Sequence, residues 1–177
     1  MKIYLIAAAA AATVASPAFA QTDEGSFQGA HVEGVVGYDK LDVNTPGTKN
    51  PDGVVYGVAG GYDLQTGNVV YGIEGEATDS SAKIRQPGFA ADAERDLYVG
   101  GRIGYASGKA LIYGKVGYTN ARIDSNLGAT NGDGLRVGAG VEYKLGGNLF
   151  AKGEYRYSNY EGGVSRNQVV GGIGFRF

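Results

Sequence analysis

From Phe27 to the last residue of this 177-residue chain, apolar and polar side chains keep alternating. Eight segments carry the alternation, roughly 27–39, 54–64, 69–78, 96–106, 110–120, 135–145, 149–158 and 167–177. A period of two is that of a β-strand, whose side chains point alternately to opposite faces. No long stretch shows a competing helical period. Most segments have about 10 residues, the length a tilted strand needs to cross the hydrocarbon of a bilayer.

The stretch YGIEGEA, Tyr71 to Ala77, shows what the two faces are. One parity reads Tyr71, Ile73, Gly75, Ala77 and the other Gly72, Glu74, Glu76. Over all eight segments the first row stays free of charge within the strand bodies. It holds Val32, Val36, Val58, Val99, Ile103, Ile112, Val116, Val141, Val169 and Ile173. Its aromatic residues gather towards segment ends: Tyr62, Tyr71, Tyr105, Tyr143, Phe175 and Phe177 at one end, Tyr38, Tyr56, Tyr118 and Tyr157 at the other. An aliphatic band between two aromatic belts is what a lipid bilayer selects.

The second row holds seven acids, Glu33, Asp39, Asp63, Glu74, Glu76, Glu142 and Glu154. Against them stand seven bases, Arg102, Lys115, Arg136, Lys144, Lys152, Arg156 and Arg176. Glycines such as Gly61, Gly72, Gly100, Gly117 and Gly174 are interleaved. A soluble barrel with the charged row in water would also explain one uncharged face, but a solvated strand has no use for glycine, which weakens it. A narrow lumen packed with its own side chains needs small residues beside long ones. The charged row is therefore expected inside, where opposite charges pair because isolated buried ions are costly. Glu33, Glu74, Glu154, Arg102 and Lys115 are expected at the centre of this network, with Glu76, Arg136, Glu142 and Arg156 extending it.

The connections sort by length. Gln65-Thr66-Gly67-Asn68, Ser107-Gly108-Lys109 and Gly146-Gly147-Asn148 are tight hairpin turns. The others are long and polar: NTPGTKNPDG, DSSAKIRQPGFAADAER, SNLGATNGDG and NYEGGVSR. Short turns on one side and long loops on the other mark an outer-membrane barrel, the short side being periplasmic. With eight strands both chain ends fall on that side. The expected fold is thus all-β, an eight-stranded antiparallel up-and-down transmembrane barrel.

Residues 1–20 stand apart. Met1-Lys2, an apolar run from Ile3 to Ala15, and Ala18-Phe19-Ala20 after Ser16-Pro17 form a secretory signal peptide with cleavage after Ala20. The run is shorter than the roughly 20 residues of a membrane-spanning helix. The barrel domain is expected over 21–177. Export would permit disulfides, but the chain has no cysteine, so burial and hydrogen bonding must hold the fold.

Little chemistry is legible. His31, the only histidine, has charged-row parity and reads as a packed lumen or rim residue. Without a second histidine or a cysteine no transition-metal site is expected, and no cofactor fingerprint occurs. Asp124 and Asp133 lack the spacing of a calcium loop. A formal net charge of −2 excludes a nucleic-acid partner. Loop acids slightly outnumber loop bases, Arg166 being counted among the latter. This leaves no basic patch for an anionic sugar but allows divalent cations to bridge to lipopolysaccharide phosphates.

These pieces together, VAGGYDLQTGN, YGIEGE, VGGRIGY, LIYGKVGY, KGEYRYSNY and the final VVGGIGFRF, resemble the small eight-stranded outer-membrane barrels, the OmpA-like and opacity-type proteins of the porin family in Gram-negative bacteria. No acid–base apparatus is legible, so a non-enzymatic monomer with a structural or surface-interaction role is expected, or alternatively a narrow channel for ions or small polar solutes. The resemblance implies outer-membrane lipid and lipopolysaccharide as surroundings, an extracellular ligand at the loops, and Phe177 as part of the signal read by the barrel-assembly machinery. Larger OmpA-type proteins add a peptidoglycan-binding domain after the barrel, and no such anchoring is implied here.

Overall fold

The computed structural model describes residues 26–43, 52–81, 83–86, 89–125, 128–160 and 164–177. The predicted leader and its cleavage point at Ala20 lie outside them. Nine strands follow in order: β1 Gly29–Val43, β2 Asp52–Thr66, β3 Val69–Ser80, β4 Lys83–Gln86, β5 Phe89–Ser107, β6 Ala110–Ser125, β7 Gly128–Gly146, β8 Leu149–Tyr160 and β9 Val164–Arg176. Eight of them close a barrel, each pairing antiparallel with its neighbours, with β9 returning to β1 and β3 bridging to β5. No helix among the described residues is long and apolar enough to cross a membrane.

One short strand, β4, lies where the sequence reads as a loop, outside the eight that close the barrel. β4 pairs with the start of β5, Lys83 opposite Asp92 and Gln86 opposite Phe89, inside what reads as a loop. The stretch SNLGATNGDG is likewise mostly strand, because β6 and β7 stay paired up to Ser125 and Gly128. On the loop end, β5, β6 and β7 therefore overrun their neighbours: β3 ends at Ser80 and β8 pairs no further than Gly134 of β7. The register of β5 on β6 slips between Ala93 and Asp96, where this raised wall leaves the barrel. Such a bulge re-aims a strand without ending it.

The tilt follows from the pairing. Stepping across directly paired residues from Val32 of β1 leads through Gly60, Gly75, Val99, Tyr118, Leu135, Asn159 and Ser165 to Asp42, ten residues further along β1. Eight strands with that shear lean about 40° from the barrel axis and leave an interior that side chains fill.

The uncharged row is outside. Ile73, Val58, Val99, Ile103 and Ile112 are more than 60% exposed, and the belt residues Tyr38, Tyr56, Tyr62, Tyr71, Tyr105, Tyr118, Tyr143, Tyr157, Phe175 and Phe177 also face outward. Contiguous apolar surface on this scale requires a lipid partner. Between the belts each barrel strand carries a small outward residue, Gly34, Gly60, Gly75, Gly101, Gly114, Ala139, Gly153 and Gly171, with Ala77 a second one on β3. Gly60 pairs directly with Gly75, Gly114 with Ala139, and Gly153 with Gly171. Each of the remaining five steps descends two residues towards the turns. Their total equals the shear, so the eight positions form one level ring around the barrel.

The lumen as candidate functional site

Inward parity gathers eight buried carboxylates, Glu33, Asp39, Asp63, Glu74, Glu76, Asp96, Glu142 and Glu154, against seven buried lysines and arginines and His31. They stack in three tiers along the axis.

Nearest the turns, Asp63 of β2 and Glu142 of β7 share two guanidiniums. Arg102 donates from Nε to Asp63 Oδ1 at 2.7 Å, and its Nη2 reaches Glu142 Oε2 at 3.4 Å. Arg176 donates to Asp63 Oδ2 and to Glu142 Oε1, both at 2.7 Å. His31 sits beside them, Nδ1 3.3 Å from Asp63 and Nε2 3.9 Å from Glu74. It is buried, its ring nearly perpendicular to that of Phe150 with 6.3 Å between their centres.

In the middle, the Lys115 ammonium lies 2.7 Å from both Glu74 and Glu154. Lys152 pairs with Glu33, and Tyr113 donates its hydroxyl to Glu154 at 2.5 Å. Arg156 bonds Glu154 and, from Nη1 at 2.6 Å, Glu76. Nearest the loops, Arg136 reaches Glu76 at 3.2 Å, pairs with Asp96 and donates to Ser158 Oγ at 2.9 Å. Arg166 joins Asp96 at 2.9 Å to Asp39 at 2.8 Å. Thr119, Tyr160 and Ser80 fill remaining acceptor positions on the two aspartates.

The nine residues expected to form the network, Glu33, Glu74, Glu76, Arg102, Lys115, Arg136, Glu142, Glu154 and Arg156, are all placed in this stack. Arg102 sits lower than expected because Asp63 and Glu142, not the mid-barrel acids, take most of its donors. Two members were missed. Arg166, counted as a loop base, is 4% exposed and Asp96 is 1% exposed. Lys144, placed with the charged row, is only half-buried and lies at the turn end.

Aromatic rings line the stack as well. Lys115 and Arg136 lie over the Tyr98 ring, 4.7 and 5.4 Å from its centre, and Arg102 over Tyr113 at 5.2 Å. Not every tyrosine is a belt residue, then: Tyr98, Tyr113 and Tyr160 point inward. Inward glycines make their seats. A Cβ on Gly100 would come within 2.2 Å of the Tyr98 hydroxyl, and one on Gly61 within 2.8 Å of the His31 ring. Beneath the lowest tier the turn end closes with an apolar floor of Phe27, Val70, Ala106 and Leu111, which the Tyr113 ring joins from above.

Every cation in the stack meets a carboxylate, and Arg136 and Arg156 have no exposed surface. No group of three or more potential metal ligands occurs among the described residues. The arrangement is a plug of ion pairs inside a lipid-facing wall.

A model of the outer membrane protein beta-barrel domain matches residues 6–177. The chain belongs to that family. The 25 kDa outer-membrane immunogenic protein of Brucella ovis is 31% identical over 145 residues, covering 80% of this chain and 72% of that protein. The 22 kDa outer membrane protein of Rhizobium leguminosarum is 29% identical over 173 residues, 86% of this chain and 79% of that one. Among solved structures, neisserial surface protein A superposes with a TM-score of 0.60 at 16% identity, covering 84% of this chain and 97% of that one. Ail of Yersinia pestis, solved with the heparin analogue sucrose octasulfate, gives 0.57 at 18% identity over 84% and 99%. Both share the fold. This outer-membrane barrel accordingly resides in the outer membrane of a Gram-negative bacterium.

Proposed function

We propose that this family member is a closed structural and surface-interaction barrel, non-catalytic and non-conducting, whose contacts are made by its loop end outside the cell. The observation that carries this reading is the occlusion of the lumen: three tiers of paired charges over an apolar floor leave no guanidinium or carboxylate in the stack open to water. A barrel of eight strands has no spare width for a channel alongside them. Among the described residues, the raised wall of β4 to β7 extends the barrel at the loop end. Both chain ends and the tight turns then face the periplasm, and Phe177 meets the barrel-assembly machinery during insertion.

One relative supports an outward role by its name, that of an outer-membrane immunogenic protein. Nothing in the described loop end favours an anionic sugar. With Arg166 in the lumen, the loop sequences keep Asp42, Asp52, Asp79, Asp92, Glu94, Asp124, Asp133 and Glu161 against Lys49, Lys83, Arg85, Arg95 and Arg122. Divalent cations joining these acids to lipopolysaccharide phosphates are part of the proposal, and stability unchanged by chelation would remove that part.

Planar-bilayer recording separates this reading from a narrow channel. Silence at all voltages, in the native barrel and in Arg102→Ala, is expected; steady conductance in the native barrel would overturn it. An epitope inserted between Pro87 and Gly88 should bind antibody on intact cells. Detection only after the outer membrane is opened would reverse the orientation.

A further inference from the structure

Phe27 is fully buried, yet it belongs to no strand. It precedes β1, and side chains from three separate strands hold the backbone around it. Its N–H donates to Gln65 Oε1 of β2 at 2.6 Å, and its carbonyl accepts from Arg176 Nη1 of β9 at 2.6 Å. The Ser26 carbonyl accepts from the Lys144 ammonium of β7. The ring packs against Val70, Ala106, Leu111 and Tyr113, with Lys144 and Arg176 4.9 and 5.9 Å from its centre. β1 itself is tied to the chain end below, where Phe177 N–H donates to the Ala30 carbonyl at 2.8 Å.

We propose that Ser26-Phe27 is a latch: a removable stopper that seals the turn end of the lumen and keeps water from the lowest ion-pair tier. Two features of the contacts give it this character. All three restraints on its backbone come from side chains, none from a sheet ladder, so the latch can swing out while every strand stays paired. The restraints also come from β2, β7 and β9, which stand around one opening only once the barrel has closed. The latch is thus the last part of the floor to form and the first to leave, and local openings of this kind cost less than global unfolding. When it leaves, Val70, Leu111 and the Asp63–Arg102–Arg176–Glu142 cluster face water.

The absence of native cysteine makes a direct test available. Leu111→Cys places one thiol against the ring, and its modification by a small water-soluble methanethiosulfonate is timed in detergent-refolded barrel. With Phe27 present the thiol should be protected; adding Phe27→Gly should raise the rate about tenfold or more, the barrel keeping its folded position on an unboiled gel. Gln65→Ala, which removes one restraint and leaves the ring, should give an intermediate rate and serves if the glycine variant does not fold. Equal rates in all backgrounds, or rapid labelling with Phe27 in place, would overturn the latch. Either result leaves the closed ionic stack untouched, since that reading is decided by conductance.

Discussion

Gly100 and Gly101 are neighbours in the chain and opposites in surroundings. A methyl group on Gly100 would point into the lumen, 2.2 Å from the Tyr98 hydroxyl and 2.5 Å from the Val116 carbonyl oxygen. On Gly101 it would point outward, its nearest neighbour 3.7 Å away. The inner wall uses glycine because something is already there. The outer wall carries it where a methyl group would mostly meet only ordinary contact or open space, Gly60, with the His31 carbonyl oxygen at 3.1 Å, being the tightest of the outward positions. The two sides of one sheet are therefore under different control, the inner by packing and charge pairing, the outer by the bilayer.

Substitutions across the wall should rank accordingly, read as the urea concentration at which the folded gel band disappears. Arg136→Ala should do most damage, about 3–5 kcal/mol, because it leaves Asp96 and Glu76 buried with fewer partners. A loss below about 1 kcal/mol would mean that this tier is already wet. Gly100→Ala comes next, at about 1–3 kcal/mol, since the Val116 backbone cannot yield as a flexible side chain can. Tyr38→Phe removes an exposed hydrogen bond of 2.7 Å to Asp52 on the outer face and should lower the midpoint less than Gly100→Ala does. Gly101→Ala should move stability by no more than about 0.5 kcal/mol in either direction. If it matched Gly100→Ala, the contrast between the two faces would be lost.

The contrast also explains what could be read from the chain. Parity alone separates Ile73 from Glu74 and so gives the orientation of the wall, because lipid tolerates no charge and the lumen demands it. Reading failed where strands outlast the membrane. Asp96 and Arg166 keep the inner parity of Arg102 and Arg176, but they sit next to loop-like sequence, and only the continued pairing beyond the bilayer shows them to be inside. The β4 hairpin had a local signal in Pro87-Gly88 between two short runs, a pair that favours a turn. The partners within the lumen were out of reach, since they depend on a shear set by all eight strands together. Phe27, an aromatic residue on the charged parity, broke the two-row pattern and marked the floor.

The ring of small outward residues lies about four residues from most of the belt tyrosines on either side, with Tyr62 and Tyr155 nearer, so it stands level with the place where the ends of opposing acyl chains meet. The barrel is therefore waisted. Each leaflet grips its own collar of branched side chains, Val36, Val58 and Val99 above and Val32, Ile73 and Ile103 below, and at the seam between the leaflets the protein offers little more than its main chain.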